Sequence, residues 1–319
     1  MKILICGAGA VGQAVGCMLA SDGHDVDLIL RERYKTVIQS RGLAVTGIFG
    51  DYTIGPEEVG LYQDVQEITE KIYNYVLITT KSYDTHRAVG ELQKIRNHTF
   101  TAVSMQNGCG NLEMVVERFG KERSLGARVI TGFEIEEPGV VRITVSADDI
   151  HIGGSTEGEV PHSAVVLAEA IHSAGLPCAA TSFIKRDLFA KLLYNCALNP
   201  LGAALGVHYG ALGDNPCTQE IMNTIIREVF AVIEAMGAKT HWDTPEAYQT
   251  VFYEKQIPAT YHHRSSMLQD LEMGKRTEVE ALTGYVSEQG RRYTVSTPVC
   301  DTLSNLIRFM EMYNAKQTL

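Results

Sequence analysis

The chain has 319 residues, 45% hydrophobic and 21% charged, ordinary globular proportions and enough length for two cores rather than one. Its formal charge of -10 argues against a sequence-independent nucleic-acid surface or an anionic membrane as partner, and no apolar run approaches the roughly 18 residues of a membrane span. Seven scattered cysteines without CxxC or zinc spacing, and ten histidines without a His-Glu-x-x-His pattern, point to reduced thiols and to no metal.

Met1-Lys2-Ile3-Leu4-Ile5 runs directly into a strand over residues 2–6, so no signal peptide is expected and a cytoplasmic protein is. Gly7-Ala8-Gly9-Ala10-Val11-Gly12 follows, then a helical pattern through Val15, Met18 and Leu19 that Ser21-Asp22-Gly23-His24 closes. Val26–Leu30 is a second strand. A G-x-G-x-x-G loop between a strand and a helix is a dinucleotide site: its glycines allow a tight turn, close approach of backbone to a pyrophosphate, and close helix–sheet packing. The helix start then offers free N–H groups to the phosphates.

The end of the second strand selects the cofactor. An NAD site would carry a carboxylate about 20 residues after the loop. Here the position holds Arg31, with Arg33 close behind, and a guanidinium suits a ribose 2′-phosphate, so NADP (as NADPH) is expected. Glu32 between them is the competing ribose ligand.

Tyr75–Thr80 reads as a buried strand ending in Lys81, and Thr101–Met105 as the next, ending in Gln106-Asn107-Gly108. Both bring polar groups to what should be the carboxyl edge of a parallel sheet, where open α/β folds bind ligands. Residues 124–154 read as short strands with a turn at Glu137-Pro138-Gly139, ended by Gly153-Gly154. A helix over 162–175 and a strand near Pro177–Ala180 complete a first domain, placed at residues 1–182.

Residues 183–319 form the second domain and are almost wholly helical, with segments over 185–205, 216–236, 244–256, 260–273, 277–290 and 298–313. Gly210, Gly213, Pro216, Gly237, Pro245, Pro258, Gly274 and Pro298 punctuate them, Thr297-Pro298 marks a helix start, and the tail Asn314–Leu319 is expected to fray. Lys191, Asn195 and Asn199 stand at i, i+4 and i+8, on one face of an otherwise apolar helix. Alone, that triplet reads equally as a working face or as a snorkelling lysine with two asparagines satisfying a core. Ser265 or Ser266 near a helix start would cap it, and the free N–H groups there favour a carboxylate. Glu278 and Glu280 straddle a further helix start, and the plain reading of both stretches is capping plus solvated charge. A cofactor domain followed by a helical domain places the substrate cleft between them.

Taken together, these motifs resemble the ketopantoate reductase (2-dehydropantoate 2-reductase) family. The resemblance runs nearly end to end: GAGAVG at 7–12, Thr79-Thr80-Lys81, Gln106-Asn107-Gly108, Pro138-Gly139-Val140 and His151-Ile152-Gly153-Gly154. Its most specific parts are Lys191-Leu-x-x-Asn195-x-x-x-Asn199-Pro200 and Ser265-Ser266-Met267-Leu268-Gln269-Asp270 with Thr277-Glu278. It implies an α/β Rossmann-like N-terminal domain and an all-α C-terminal domain of the 6-phosphogluconate dehydrogenase-like kind. It further implies NADPH-dependent reduction of a 2-oxo acid to a 2-hydroxy acid, ketopantoate to pantoate, in pantothenate and coenzyme A biosynthesis. Lys191 would then donate the proton to the ketone oxygen, while Asn195 and Asn199 hold substrate polar groups and Ser266 the carboxylate end. Glu278 would contact the substrate hydroxyl or the nicotinamide ribose. Lys81 and the backbone near Gly132 would touch the cofactor, and Asn107 both cofactor and substrate. Burial would lower the lysine pKa and Glu278 would raise it.

The chain departs from the family pattern at Phe189, where tryptophan is frequent, in the loop Gly210–Asn215, and at Tyr209 and His263, where some members place asparagines. A related 2-oxo acid is therefore the alternative substrate. A β-hydroxyacid-type dehydrogenase is a competing class that the Ser265–Asp270 segment argues against. A non-catalytic NADP sensor is another, and it would have no use for an acid at Lys191. The partner is a small-molecule 2-oxo acid, and a homodimer is compatible with the sequence.

Overall fold

In the computed structural model, which describes residues 1–95 and 99–317, the chain divides into two units. One comprises Met1–Asn107 and Asn111–Lys185, the other Gly108–Gly110 and Arg186–Leu319.

Among the described residues the first unit carries twelve strands. They are β1 (Lys2–Cys6), β2 (Asp25–Ile29), β3 (Leu43–Gly47), β4 (Tyr52–Ile54), β5 (Val59–Tyr62), β6 (Tyr75–Ile78), β7 (Thr101–Ser104), β8 (Ser124–Arg128), β9 (Thr131–Glu137), β10 (Val140–Ser146), β11 (Ile150–Gly154) and β12 (Cys178–Ala180). Its helices are α1 (Ala10–Ser21), α2 (Glu32–Arg41), α3 (Thr85–Leu92), α4 (Asn111–Phe119) and α5 (His162–Ser173). Eight strands form one sheet in the order β12-β11-β8-β7-β6-β1-β2-β5, parallel except where β11 meets β8. The chain runs from β1 outward to β2 and β5, then returns to place β6 on the other side of β1. This reversal sets a switch point at the carboxyl end of β1, where such sheets bind ligands.

The unbroken apolar run of β1 follows from burial on both faces. Alternate side chains enter different cores: Ile3 and Ile5 join α1 and α5 residues such as Val15, Leu19 and Leu167, while Leu4 and Cys6 join Val89, Leu92 and Val115 of α3 and α4.

A second sheet, β4-β3-β10-β9, was not foreseen from the sequence. It pairs β3 with β10, so neither half signals the sheet by itself. Along β10 the burial alternates, with Val141 and Ile143 inward and Arg142 and Thr144 exposed, as a one-sided sheet requires. The inward residues pack with α1, which also rests on the large sheet, so Gly12 through Ala20 are all buried.

The second unit is built around α6 (Ile184–Leu205), followed by α7 (Tyr209–Gly213), α8 (Pro216–Ala235), α9 (Pro245–Val251), α10 (Ile257–Ala259), α11 (Ser266–Glu272), α12 (Thr283–Tyr293) and α13 (Pro298–Gln317). A wide π turn over Phe252–Gln256 joins α9 to α10. Leu192, Leu193, Cys196, Ala197 and Leu198 of α6 lie at the centre of this core, with Ile225 and Val229 of α8 and Tyr248 and Phe252 beyond. Glu228 is buried in α8 and accepts the Val299 and Cys300 N–H groups at 2.9 Å each, satisfying donors that the start of α13 would otherwise leave orphaned.

Several helix limits differ from the sequence expectation. Residues 260–265 are a turn, and the segment expected over 277–290 becomes regular only at Thr283. Gly210 and Gly213 lie inside α7 rather than between helices. A Cβ on Gly210 would lie 2.5 Å from the Tyr261 ring, and one on Gly213 2.8 Å from Ile257. These glycines permit close packing. The last helix extends to Gln317 instead of ending at 313, and of the tail expected to fray, Thr318 and Leu319 lie outside the described residues. Among the described residues no helix is long and apolar enough to cross a membrane.

Candidate active site

In the first unit the six residues Gly7–Gly12 fold as the glycine spacing requires. Gly7 has φ +104°, and a Cβ there would fall 2.5 Å from the Thr80 side chain. A Cβ on Gly12 would sit 2.7 Å from both the Gly7 carbonyl oxygen and Thr79 Oγ1, so this glycine lets α1 lie against the sheet. Gly9 differs. Among the described residues nothing lies within 4 Å of its Cβ position. As the residue before α1 it has no side chain to cap the helix, so the first-turn N–H groups at Ala10, Val11 and Gly12 are left for a ligand. An open cradle at Gly9 between two tightly packed glycines fits a pyrophosphate. Beneath it the fully buried Gln13 donates from Nε2 to the Ala8 carbonyl at 2.8 Å, and Thr79 Oγ1 donates to the Gly7 carbonyl at 2.7 Å.

The neighbouring strand ends are tied together. Gln106 is buried at the end of β7, and its Nε2 donates to the Thr80 carbonyl at 3.0 Å and to Thr85 Oγ1 at 2.7 Å. It thereby couples the β6 and β7 ends that carry Lys81 and Asn107, both half-buried. Arg31 stands just past β2 as the exposed residue before α2. Glu32 turns back on its own helix, where Oε1 accepts from Thr36 Oγ1 at 3.3 Å. Arg33 lies over the Tyr34 ring at 4.7 Å. Among the described residues neither engagement arises for Arg31. Gly132 is the second residue of β9 of the second sheet, four residues past the end of β8.

In the second unit Lys191, Asn195 and Asn199 succeed one another along α6, Lys191 half-buried and both asparagines buried. Pro200 follows inside the helix and has no N–H to return to the Cys196 carbonyl. Asn199 is held from two sides. Its Oδ1 accepts the Tyr209 hydroxyl at 2.6 Å, and its carbonyl accepts Ser265 Oγ at 3.5 Å. Ser265 is buried and caps α11, accepting the Leu268 N–H at 3.1 Å, which leaves Ser266 exposed in the first turn. Glu278 is buried, whereas Glu280 is surface-paired, accepting two Arg308 N–H bonds at 2.7 Å each. Arg308 holds the Glu280 carboxyl below the usual range. Next to Glu278, Thr277 donates from N to Glu311 at 2.7 Å.

Two features escaped sequence reading. Asp187 is buried one helical turn before Lys191 and lies 2.6 Å from His241 Nε2; its i−4 spacing was the available signal. The Tyr209–Asn199 bond had none, because Tyr209 belongs to a helix that the sequence did not reveal. Among the described residues no cluster of three or more potential metal ligands occurs.

The family model for ketopantoate reductase PanE/ApbA matches residues 3–157, and that for the C-terminal part of the same family matches 184–311. The 2-dehydropantoate 2-reductase of Aquifex aeolicus (strain VF5) is 38% identical over all of this chain and 99% of its own. The crystal structure of a PanE/ApbA family ketopantoate reductase from Ralstonia eutropha JMP134 superposes with a TM-score of 0.86 at 29% identity, covering 98% of this chain and 99% of that one. A D-mandelate dehydrogenase solved with NADH and anilino(oxo)acetate has a TM-score of 0.85 at 23% identity, covering 98% of this chain and 99% of that one, a likeness of fold.

Proposed function

Since the chain belongs to the ketopantoate reductase family, whose members are dinucleotide-binding oxidoreductases, we propose that it reduces a 2-oxo acid to the 2-hydroxy acid with NADPH, and that ketopantoate, converted to pantoate for pantothenate and coenzyme A synthesis, is the substrate. The observation that carries this reading is the α6 face, where a cation and two amides follow one another along a helix otherwise committed to the core.

Ala10, Val11 and Gly12 hold the pyrophosphate through backbone N–H groups, Arg31 takes the 2′-phosphate, and Lys81, Asn107 and the backbone near Gly132 complete the cofactor contacts. NADPH bound there supplies a hydride to the carbonyl carbon. The carbonyl oxygen gains alkoxide character as that carbon is reduced, and the Lys191 ammonium both stabilises the charge and donates the proton. Asn195 and Asn199 orient the substrate through amide groups, and Ser266 takes its carboxylate. Glu278 holds a substrate or ribose hydroxyl. Such positioning contributes by removing the entropy of encounter, and the cation by acting where charge develops.

NADPH oxidation with a panel of 2-oxo acids, including ketopantoate, smaller aliphatic acids and aryl glyoxylates, tests this reading. Ketopantoate should give the highest kcat/KM, and NADH should serve less well than NADPH. Turnover of none of the panel would reject the function, while preference for another member would keep the reaction and replace the substrate.

A further inference from the structure

We propose that Tyr209 is a specificity-determining, positioning residue: by bonding the Asn199 amide oxygen it fixes which end of the amide faces it, so that Asn199 meets a substrate oxygen through Nδ2. This rests on the functional reading above, in which Asn199 faces the substrate.

The geometry carries the direction of the bond. Tyr209 Oη lies 2.6 Å from Asn199 Oδ1, a separation typical of O–H···O and shorter than the usual N–H···O. The phenol therefore donates and the amide oxygen accepts. Burial, with Tyr194 nearby, raises the Tyr209 phenol well above its ordinary value, so it keeps its proton and remains a donor throughout the working pH range. Oδ1 keeps a second lone pair, but with that end of the amide held by Tyr209 the other end, the NH₂, is turned away from it.

Tyr209 is itself fixed. It is buried, its ring meets Tyr194 edge-on at 5.8 Å, and its backbone N–H donates to the His263 carbonyl at 3.0 Å. Thr260 Oγ1 donates to the Gln256 carbonyl at 2.7 Å, so the Tyr194 hydroxyl, 2.7 Å from Thr260, donates in turn to Thr260. Tyr194 is thereby locked, and the ring against it with it. Gly210 N–H donates to the Tyr261 carbonyl at 2.8 Å, which anchors the start of α7 to the same turn. An asparagine amide free to rotate could present either end to a ligand. One whose oxygen is held by a locked phenol has its orientation fixed with the donor end turned away from the phenol, and so favours an oxygen that only accepts, such as a carboxylate or a keto oxygen, over a hydroxyl seeking an acceptor.

The test is a double-mutant cycle on the full chain, using the 2-oxo acid that the wild type turns over best. Tyr209→Phe keeps the ring and removes the hydroxyl. It should raise KM for the oxo acid about five- to tenfold, the worth of one hydrogen bond, and leave kcat and the NADPH KM within about twofold. Asn199→Ala should raise the same KM at least as much, and adding Tyr209→Phe to it should change nothing further. Asn199→Asp keeps an acceptor for Tyr209 but has no donor, so it should bind the oxo acid no better than Asn199→Ala. The proposal is overturned by multiplicative losses in the double variant, by Tyr209→Phe moving kcat or the NADPH KM in step with the substrate KM, or by wild-type substrate binding in Asn199→Asp. A wild type that reduces no 2-oxo acid overturns the functional reading, and this inference with it, in a separate arm of the same assay.

Discussion

The two units bring their candidate site residues together in opposite ways. The first uses one short stretch: Gly7, Gly9 and Gly12 each have a distinct steric reason, and all three lie within the six residues that lead from β1 into the start of α1. The second draws on α6, α7, α11 and the turn at Glu278, and holds Asn199 through side chains remote in sequence. A site written into a turn tolerates little change at any of its positions. A site written across helices depends on bonds that can be removed singly, and its specificity can drift while its fold stays constant.

That contrast can be broken most sharply at Lys191. Lys191→Ala should lower kcat about 10²- to 10⁴-fold, the usual worth of a positioned acid, with NADPH affinity by fluorescence titration unchanged. Parallel loss of both would mean that the lysine serves the cofactor. In the glycine turn, Gly12→Ala should destabilise the fold by about 1–3 kcal/mol through overpacking, seen as a lower Tm. Gly9→Ala should leave Tm unaltered and weaken NADPH binding about tenfold, because its methyl enters the open cradle alone. If both variants behaved alike, the distinct steric roles would fall. Arg31→Ala should raise the NADPH KM about tenfold and barely change that for NADH, as expected on losing one charge-assisted bond to a phosphate.

The smallest effect separates two neighbouring glutamates. Glu280 is paired with Arg308 at the surface, which lowers its folded-state pKa, so its contribution is present above the unfolded value and is lost as pH falls through the folded one. Glu280→Gln should cost under about 1 kcal/mol at pH 7 because the pair is solvent-screened, and the gap to wild type should close below about pH 4. Chemical denaturation at both pH values measures it, and an unchanged gap at low pH would remove the ion pair as its cause. Turnover should be untouched.

How much of this was legible follows the same division. The Rossmann-like turn, the place of Arg31 just past β2 and the helix that carries the α6 triplet could be read because their signals are local: fixed spacing in one loop, one strand end, one helix face. The second sheet could not, since β3 and β4 are strands of 5 and 3 residues, paired with each other, that join β9 and β10 in one sheet only where β3 meets β10 far along the chain. Glycines misled where packing rather than turning required them, as at Gly210 beneath Tyr261. Tyr209 stood out in the sequence as a departure from the family pattern, but its bond to Asn199 is a tertiary fact. Asp187 was within reach, one turn before Lys191, and its partner His241 was not.

The claim underlying all of this is that hydride passes from NADPH to the carbonyl carbon of a 2-oxo acid. Incubating the wild-type protein with ketopantoate and NADPH deuterated at both C4 positions, and weighing the product by mass spectrometry, tests it without reliance on any variant. A 2-hydroxy acid formed in step with NADPH consumption and carrying one deuterium at C2 is the expected result. A product without deuterium, or NADPH oxidation with no 2-hydroxy acid formed, would contradict it.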